Sequence, residues 1–455
     1  MQDYIRIACA VPPVAVGDVE KNTANICSGI EKADAQNVDL LVFPELALTG
    51  YSCGDLFFQR TLQDAVCAGL KKILQSSGDH QCVTVVVGMP YVIDGQLYNC
   101  AAVISAGQLW GLVPKTYIPN YNEFNEKRWF AGAQDLCDYP IEAAKLGLDE
   151  YYTVSLGTKS YFSISGDVKL GVEICEDLFS PVPPSSALAM GGAEVIVNLA
   201  ASNETVGKRT FRRDAVKHQS GACISAYAFC SAGSTESTQA TVFSGHSIIA
   251  QNGKILAEND RIADTDYMLV TDVDLGVIRA DRMRKTSFRD ATSLYGNQFE
   301  ITCCDCFAPP LRSDGSLYKT SRYPFVPESV DQRTQRCAEI FQLQVAGLKR
   351  RLTTLGGAAV VGISGGLDST LALLVAVEAM RQLGRPLTDV HGITMPCFGT
   401  SDRTYKNAWD LMRTLKVTAK EIDIKESVCV HFRDIGQDPN RHDTTYENAQ
   451  ARERT

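Results

Sequence analysis

Three short segments set side chains suited to amide chemistry beside β-like runs. LLVFPELALTGY carries Glu45, VPKTYIPNYNEF carries Lys115, and GVEICEDLFSP carries Cys175. A thiolate attacks an amide carbonyl, a carboxylate takes and returns protons, and an ammonium stabilises the oxyanion. Singly, each has an ordinary explanation: a strand-end carboxylate, a solvated surface lysine, a small core residue. Together, each at the flank of a strand, they point to amide hydrolysis. Cys175 has Glu173, Glu176 and Asp177 as acidic sequence neighbours, which by themselves raise its pKa, so the reading requires Lys115 close by.

A second chemistry lies in GISGGLDSTL, Gly362 to Leu371. Gly362, Ile363, Ser364, Gly365 and Gly366 lead out of an apolar run, and Leu367, Asp368, Ser369 and Thr370 open a helix-like one. Glycines let backbone N–H groups approach an anion, and the helix N-terminus adds its positive dipole. Where a phosphate-binding loop would place Lys, this one has Asp368, a carboxylate able to hold Mg²⁺ against phosphate oxygens. The ordinary alternative is a tight strand-to-helix turn with capping Asp and Ser. The order strand, SGGLDST, helix favours ATP.

These residues need rigid carriers. IRIACA reads as a strand, and Val19, Asn22, Thr23, Ile26, Ile30 and Ala33 fall at helical spacing before a second strand at LLVFPE. Further strands are predicted at VTVVVGMP, CAAVIS, KLGVEIC, AEVIVNLA, CISAYAF and MLVTDVD, an α/β layout over residues 1–280. From about 280, RADRMRKTSFRDATSLYGNQ and PPLRSDGSLYKTSRYPFVP are rich in charge, Ser and Pro and read as a connecting segment, 281–330. Residues 331–455 repeat strand and helix, with AAVVGIS, VHGITM and VTAKEIDI as strands and Ala408, Leu411, Met412 and Leu415 on one helix face. That is the start of a doubly wound parallel sheet with a nucleotide at the carboxyl end of its first strand. Only three strands are visible, so this nucleotide-binding domain reads as incomplete.

At 455 residues the chain is long enough for two or three domains. Its 45% hydrophobic and 21% charged residues, with no apolar run of membrane length, exclude a helical membrane protein. A net charge of −9 argues against a nucleic-acid partner. The start MQDYIRIACAVPPVAV lacks a basic region followed by an apolar one, so a cytoplasmic location is expected. Sixteen scattered cysteines then read as reduced thiols. Cys303, Cys304 and Cys306 invite a metal reading, but no second pair or nearby His completes a tetrahedral set, and a half-buried strand is favoured.

SGGLDST resembles the signature of the ATP pyrophosphatases, which transfer AMP to a carboxylate or carbonyl oxygen, release pyrophosphate and let a nitrogen nucleophile displace AMP. The segments around Glu45, Lys115 and Cys175 resemble the nitrilase superfamily over most of residues 1–275, which implies an α-β-β-α sandwich using those three residues as its catalytic set. The same resemblance places Tyr51 and Tyr121 at the pocket, Glu176 at the substrate's amino end, and Ser202 and Lys208 of LAASNETVGK in a glutamine site. Read from sequence, the two tyrosines serve equally as packing residues, and Ser202 and Lys208 as loop residues.

The two halves together, with MPCFGTSDRTYKNA and QDPNRHDTTYENAQARERT, resemble the glutamine-dependent NAD synthetases. This implies glutamine, ATP with Mg²⁺, and deamido-NAD as substrates, no tightly bound organic cofactor, and ammonia channelled from Cys175 to an adenylated nicotinate carboxylate. It also implies a homo-oligomer, commonly an octamer, and a dinucleotide contact at Asn448. Family members continue beyond TYENAQARERT, so the chain as written is expected to hydrolyse glutamine without making NAD. Another glutamine-dependent amide ligase, a silent binding protein on the amidase fold, and a free-standing amidase are the rival readings.

Overall fold

The computed structural model describes residues 3–148, 152–237, 241–259, 266–296, 302–307, 309–327 and 329–454. They form two compact units, Met1–Lys319 and Thr320–Thr455.

The first unit is built on two sheets. One has eight strands in the order Tyr267–Asp274, Tyr4–Val11, Leu40–Val42, Thr84–Ile93, Gln96–Ser105, Gln108–Pro114, Thr153–Leu156, Tyr139–Glu142. The other has seven: Lys254–Glu258, Ile248–Gln251, Ala226–Ser231, Val195–Ala200, Val168–Ile174, Ser160–Ile164, Thr302–Asp305. Side chains alternate along a strand, so each sheet buries one face against the other sheet and one against helices. On the first strand Ile5, Ile7, Cys9 and Val11 meet Val172, Val197, Ala228 and Phe229 of the second sheet in one core. Ala8 and Ala10 face the other way, into a core with Ile26 and Ile30 of the helix Val19–Ala35 and Val66 and Leu70 of the helix Arg60–Asp79. Burial on both faces is why these strands read as near-continuous apolar runs. The helices Pro184–Met190 and Lys208–Cys223 cover the outer face of the second sheet, completing an α-β-β-α sandwich.

All six helical positions expected between Val19 and Ala33 are buried, and Asp18 caps the helix by accepting the Lys21 N–H at 3.0 Å. The segment from 281 departs from its reading as a connector. Through residue 319 it packs with the first unit: Thr286–Tyr295 is a helix, and Thr302–Asp305 adds a parallel edge strand beside Ser160–Ile164. Its polar composition reflects position at the surface of a layer, not absence of structure. Cys303 and Cys304 thus lie in a strand, and among the described residues no three His, Cys, Asp or Glu gather as metal ligands.

The second unit has three parallel strands in the order Ala359–Gly362, Val390–Thr394, Thr418–Glu421. The helices Leu367–Gln382 and Asp402–Thr414 make the crossovers, with Val330–Leu355 before them and Lys425–Ile435 and Thr444–Glu453 after. Leu373, Ala376 and Met380 pack with Val390, Ala408 and Met412. Among the described residues no helix is long and apolar enough to cross a membrane.

Candidate active site

Glu45, Lys115 and Cys175 each follow the carboxyl end of a strand: Leu40–Val42, Gln108–Pro114 and Val168–Ile174. The two sheets meet so that all three converge at one end of the sandwich. Lys115 Nζ donates to Glu45 Oε1 at 2.7 Å, and both residues are essentially inaccessible to solvent. Asn99 Nδ2 at 2.6 Å holds the same oxygen, and the Ala201 N–H holds Oε2 at 2.8 Å. Both carboxylate oxygens of Glu45 are thereby held.

Sequence reading missed a second buried carboxylate. Glu126 takes Lys115 Nζ on both oxygens, at 2.9 and 2.8 Å, and accepts the Tyr51 phenol at 2.8 Å. Burial alone would lower the Lys115 pKa, but the charges of Glu126 and Glu45 outweigh it and hold the ammonium well above the ordinary lysine value. Burial pushes the Glu126 carboxyl up to about 7, opposed by Lys115.

Cys175 lies at the turn into the 3-10 helix Cys175–Phe179, with φ +45°. A non-glycine residue there is strained by roughly 1–2 kcal/mol. Two side chains hold it. Asn198 Oδ1 accepts the Cys175 N–H at 3.0 Å, and the fully buried Asp177 accepts the N–H groups of Ile174 at 3.0 Å, Thr116 at 3.1 Å and Tyr117 at 2.8 Å. Asp177 thus ties the backbone beside the thiol to the backbone beside the ammonium.

Burial pushes the Cys175 thiol well above its ordinary value, Glu45 and Glu126 add to the rise, and Lys115 opposes it. The three acidic sequence neighbours make their hydrogen bonds elsewhere. Glu173 turns to Tyr227 and the Ser185 N–H, Glu176 to Tyr121, and Asp177 to the backbone. The carboxylates that act most strongly on the thiol, Glu45 and Glu126, come from distant segments.

Of the other residues expected around the thiol, three come within its electrostatic reach. Tyr51, Tyr121 and Lys208 all interact electrostatically with Cys175. Tyr121, half exposed, donates to Glu176 Oε1 at 2.7 Å. Lys208 lies 5.0 Å over the Phe124 ring, 3.8 Å from Glu123, and bonds the Asn203 side chain. Ser202 is buried, and its hydroxyl accepts from Arg212 Nη1 at 3.3 Å. Arg212, wholly buried, also holds the Asn203 carbonyl and Glu204, and donates through Nε to His246 Nδ1 at 3.1 Å. No local pattern in FRRDAV marks Arg212 as inward-facing. Its place on the buried stripe with Val216 and Ser220 was the available signal.

In the second unit the strand Ala359–Gly362 gives way through Ile363, Ser364, Gly365 and Gly366 to the helix beginning at Leu367. Gly365 has φ +81°, and a Cβ there would lie 2.0 Å from the Thr404 carbonyl oxygen, so only glycine fits. Ser364 Oγ lies 3.1 Å from Ser369 Oγ and accepts the Gly366 N–H at 3.3 Å, while Thr370 Oγ1 donates to the Gly366 carbonyl at 2.8 Å. Gly362, Ile363, Ser364 and Gly366 line a cleft of about 550 Å³ closed by Thr394, Gly399 and Thr404. Asp368 is exposed in the first helical turn. A glycine cradle, hydroxyls and a carboxylate at a helix N-terminus suit phosphates with a hard divalent cation. Asn448 is exposed on the helix Thr444–Glu453.

Residues 6–283 match the carbon-nitrogen hydrolase family and residues 340–455 the NAD synthase family. The chain is 36% identical over 463 residues to the glutamine-dependent NAD(+) synthetase of Mycobacterium leprae (strain TN), covering 100% of this chain and 67% of that protein. It is 37% identical over 461 residues to the synthetase of Mycobacterium tuberculosis (strain ATCC 25618 / H37Rv), covering 99% and 67%. Its fold is similar to the crystal structure of a glutamine-dependent NAD(+) synthetase from Cytophaga hutchinsonii, with TM-score 0.52 and 20% identity, over 99% of this chain and 71% of that one.

Proposed function

Because the chain belongs to the carbon-nitrogen hydrolase family and, along its whole length, to the glutamine-dependent NAD(+) synthetases, we propose that Cys175 attacks the side-chain amide of glutamine, with Glu45 as base and Lys115 at the oxyanion. The overall reaction is glutamine-dependent NAD synthesis. Glu45 takes the thiol proton as sulfur bonds to the amide carbon, and returns it to the departing ammonia as the thioester forms. Water, activated by the same carboxylate, then cleaves the thioester to glutamate and restores the thiol. Asn198 takes up the Cys175 N–H, which leaves Lys115 Nζ as the donor beside the thiol. Its two contacts to Glu126 can be served by one proton, freeing another for the oxyanion. Tyr51, Tyr121, Glu176, Ser202 and Lys208 form the glutamine pocket, with Glu176 on the amino end.

In the second unit residues 362–370 bind ATP. Asp368 would hold Mg²⁺, which would supply positive charge beside the phosphates; AMP passes to the nicotinate carboxylate of deamido-NAD and pyrophosphate leaves. Ammonia from the first unit then displaces AMP to give the amide, with Asn448 contacting the dinucleotide. We extend the reading to a cytoplasmic homo-oligomer, an octamer as in the family the sequence resembles, which sedimentation of the full chain tests.

The single observation that carries the first step is the buried Lys115–Glu45 pair at 2.7 Å beside Cys175. Cys175→Ala in the full chain is expected to abolish glutamate release from glutamine. Retained hydrolysis overturns the assignment.

A further inference from the structure

The connection between the strands Ala226–Ser231 and Ile248–Gln251 reaches back to a helix far away in sequence. Glu236, 4% exposed, accepts the N–H groups of Tyr51 at 2.8 Å and Ser52 at 3.2 Å. Those amides open the 3-10 helix Tyr51–Phe58, whose own N-cap is Gly50, a residue without a side chain to cap with. Gly50 has φ +86°, and a Cβ there would meet Val14 and the Val16 backbone at 3.2 Å. A local Ser or Asp is thereby shut out, and the cap comes from across the sandwich.

A carboxylate at this depth is costly unless bonded, and its cost is offset here by the two amides and the Ser52 side chain, the first amide fixing the backbone from which Tyr51 points. The Tyr51 phenol meets Glu126 Oε1 at 2.8 Å. Phe243, on the same connection as Glu236, packs edge-on against the Tyr51 ring at 5.8 Å and 70°. Tyr51 is therefore gripped by backbone and ring from one segment while its hydroxyl reaches the carboxylate that holds Lys115.

We propose that Glu236 is a positioning residue, which aims the Tyr51 phenol at Glu126 and so holds the Glu126–Lys115–Glu45 array in register for amide hydrolysis. This rests on the assignment of Cys175, Glu45 and Lys115 to that hydrolysis. The charged and titratable groups facing Glu126 are Lys115, Glu45, the Tyr51 phenol and the Cys175 thiol; those facing Glu236 are Glu45 and the Cys53 thiol. A phenol donating to Glu126 favours its ionised form, so weakening that bond raises the pH at which Glu126 ionises.

The test is the pH profile of glutamine hydrolysis by the full chain. Tyr51→Phe is expected to move the acid limb of kcat upward by about one pH unit. Glu236→Gln, which keeps one acceptor oxygen but turns a donor toward the second amide, is expected to move it in the same direction. The double variant should move no further than Tyr51→Phe alone. An acid limb unmoved in Glu236→Gln overturns the proposal, as does a double variant whose loss is the product of the two single losses. Should Glu236→Gln not fold, Glu236→Asp, which keeps the charge but shortens the reach, goes through the same cycle with the same deciding outcomes. Cys175→Ala separates the two levels: if it retains hydrolysis the underlying assignment fails, and if it abolishes hydrolysis while the cycle is additive, only the role of Glu236 fails.

Discussion

Gly88 lies on the strand Thr84–Ile93, directly beneath the turn that carries Glu45. A Cβ at this position would lie 2.3 Å from the Leu46 amide nitrogen, 2.6 Å from the Pro44 carbonyl oxygen and 2.8 Å from the Glu45 carbonyl carbon. All three are backbone atoms, so no side chain can rotate out of the way. Opening the closest contact from 2.3 Å to an ordinary 3.4 Å moves the turn by about 1 Å. The Glu45 carboxylate is held at 2.6, 2.7 and 2.8 Å by Asn99, Lys115 and the Ala201 N–H, and a shift of that size takes it out of hydrogen-bond range of at least one of them. Gly88→Ala is therefore expected to lower kcat for glutamine hydrolysis about 10²-fold, equivalent to about 2.7 kcal/mol of barrier. Overpacking should cost about 1–3 kcal/mol of folding stability. The assay is glutamate release at saturating glutamine, well below the melting temperature, alongside urea denaturation. A folded Gly88→Ala protein with kcat within threefold of the parent would refute the claim that this contact sets the position of Glu45.

Gly365→Ala combines a left-handed φ with a 2.0 Å approach to the Thr404 carbonyl, so ATP affinity by calorimetry should fall at least tenfold, about 1.4 kcal/mol; unchanged affinity counts against a phosphate cradle there. Asp177→Asn turns an amide donor toward the N–H groups of Thr116, Tyr117 or Ile174, and should cost about 2–3 kcal/mol of stability together with a more than tenfold loss of kcat; a variant as stable as the parent would remove Asp177 from its role as tie. Arg212 can only donate, so His246 Nδ1 is the acceptor and Nε2 carries its proton to Glu258 at 3.0 Å. Burial lowers the His246 pKa from 6.5 to about 4, so its neutral form contributes stability that is present above pH 6.5 and lost as pH falls toward 4. Urea denaturation across that window should show up to about 3 kcal/mol of pH-dependent loss that His246→Gln lacks, and identical slopes in both proteins would dismiss it.

The cluster of Glu45, Lys115 and Cys175 was legible because each member closes a strand signal that the chain repeats: an apolar run, then PE, PK or CED. Both faces of those strands are buried, so their apolar character survives as a continuous pattern, and the polar residue at its end stands out. The glycine loop was legible for a different reason, since strand, SGGLDST and helix need only local geometry. The connector at 281–319 was misjudged because an edge strand and surface helices carry charge on their open faces, so composition there resembles a linker.

Glu126 was not legible, and the reason is physical. It sits in NYNEFNEKRW, an irregular segment ending in the three-residue 3-10 turn Glu126–Arg128, where neither a period of 2 nor one of 3.6 distinguishes inward from outward. Nothing local buries it. Its place follows only once Lys115 is buried, because an ammonium in a dry interior next to one carboxylate still has protons to satisfy. The same logic runs outward: Glu126 has an oxygen to share, Tyr51 supplies the phenol, and the Tyr51 backbone needs a cap that Gly50 cannot give. Glu45 and Lys115 can thus be read as residues, whereas Glu126, Glu236 and the bond that Tyr51 makes to Glu126 follow only by asking at each step which buried polar atom still lacks a partner. A sequence pattern shows where a strand delivers a charge, and the sandwich determines which distant charges must answer it.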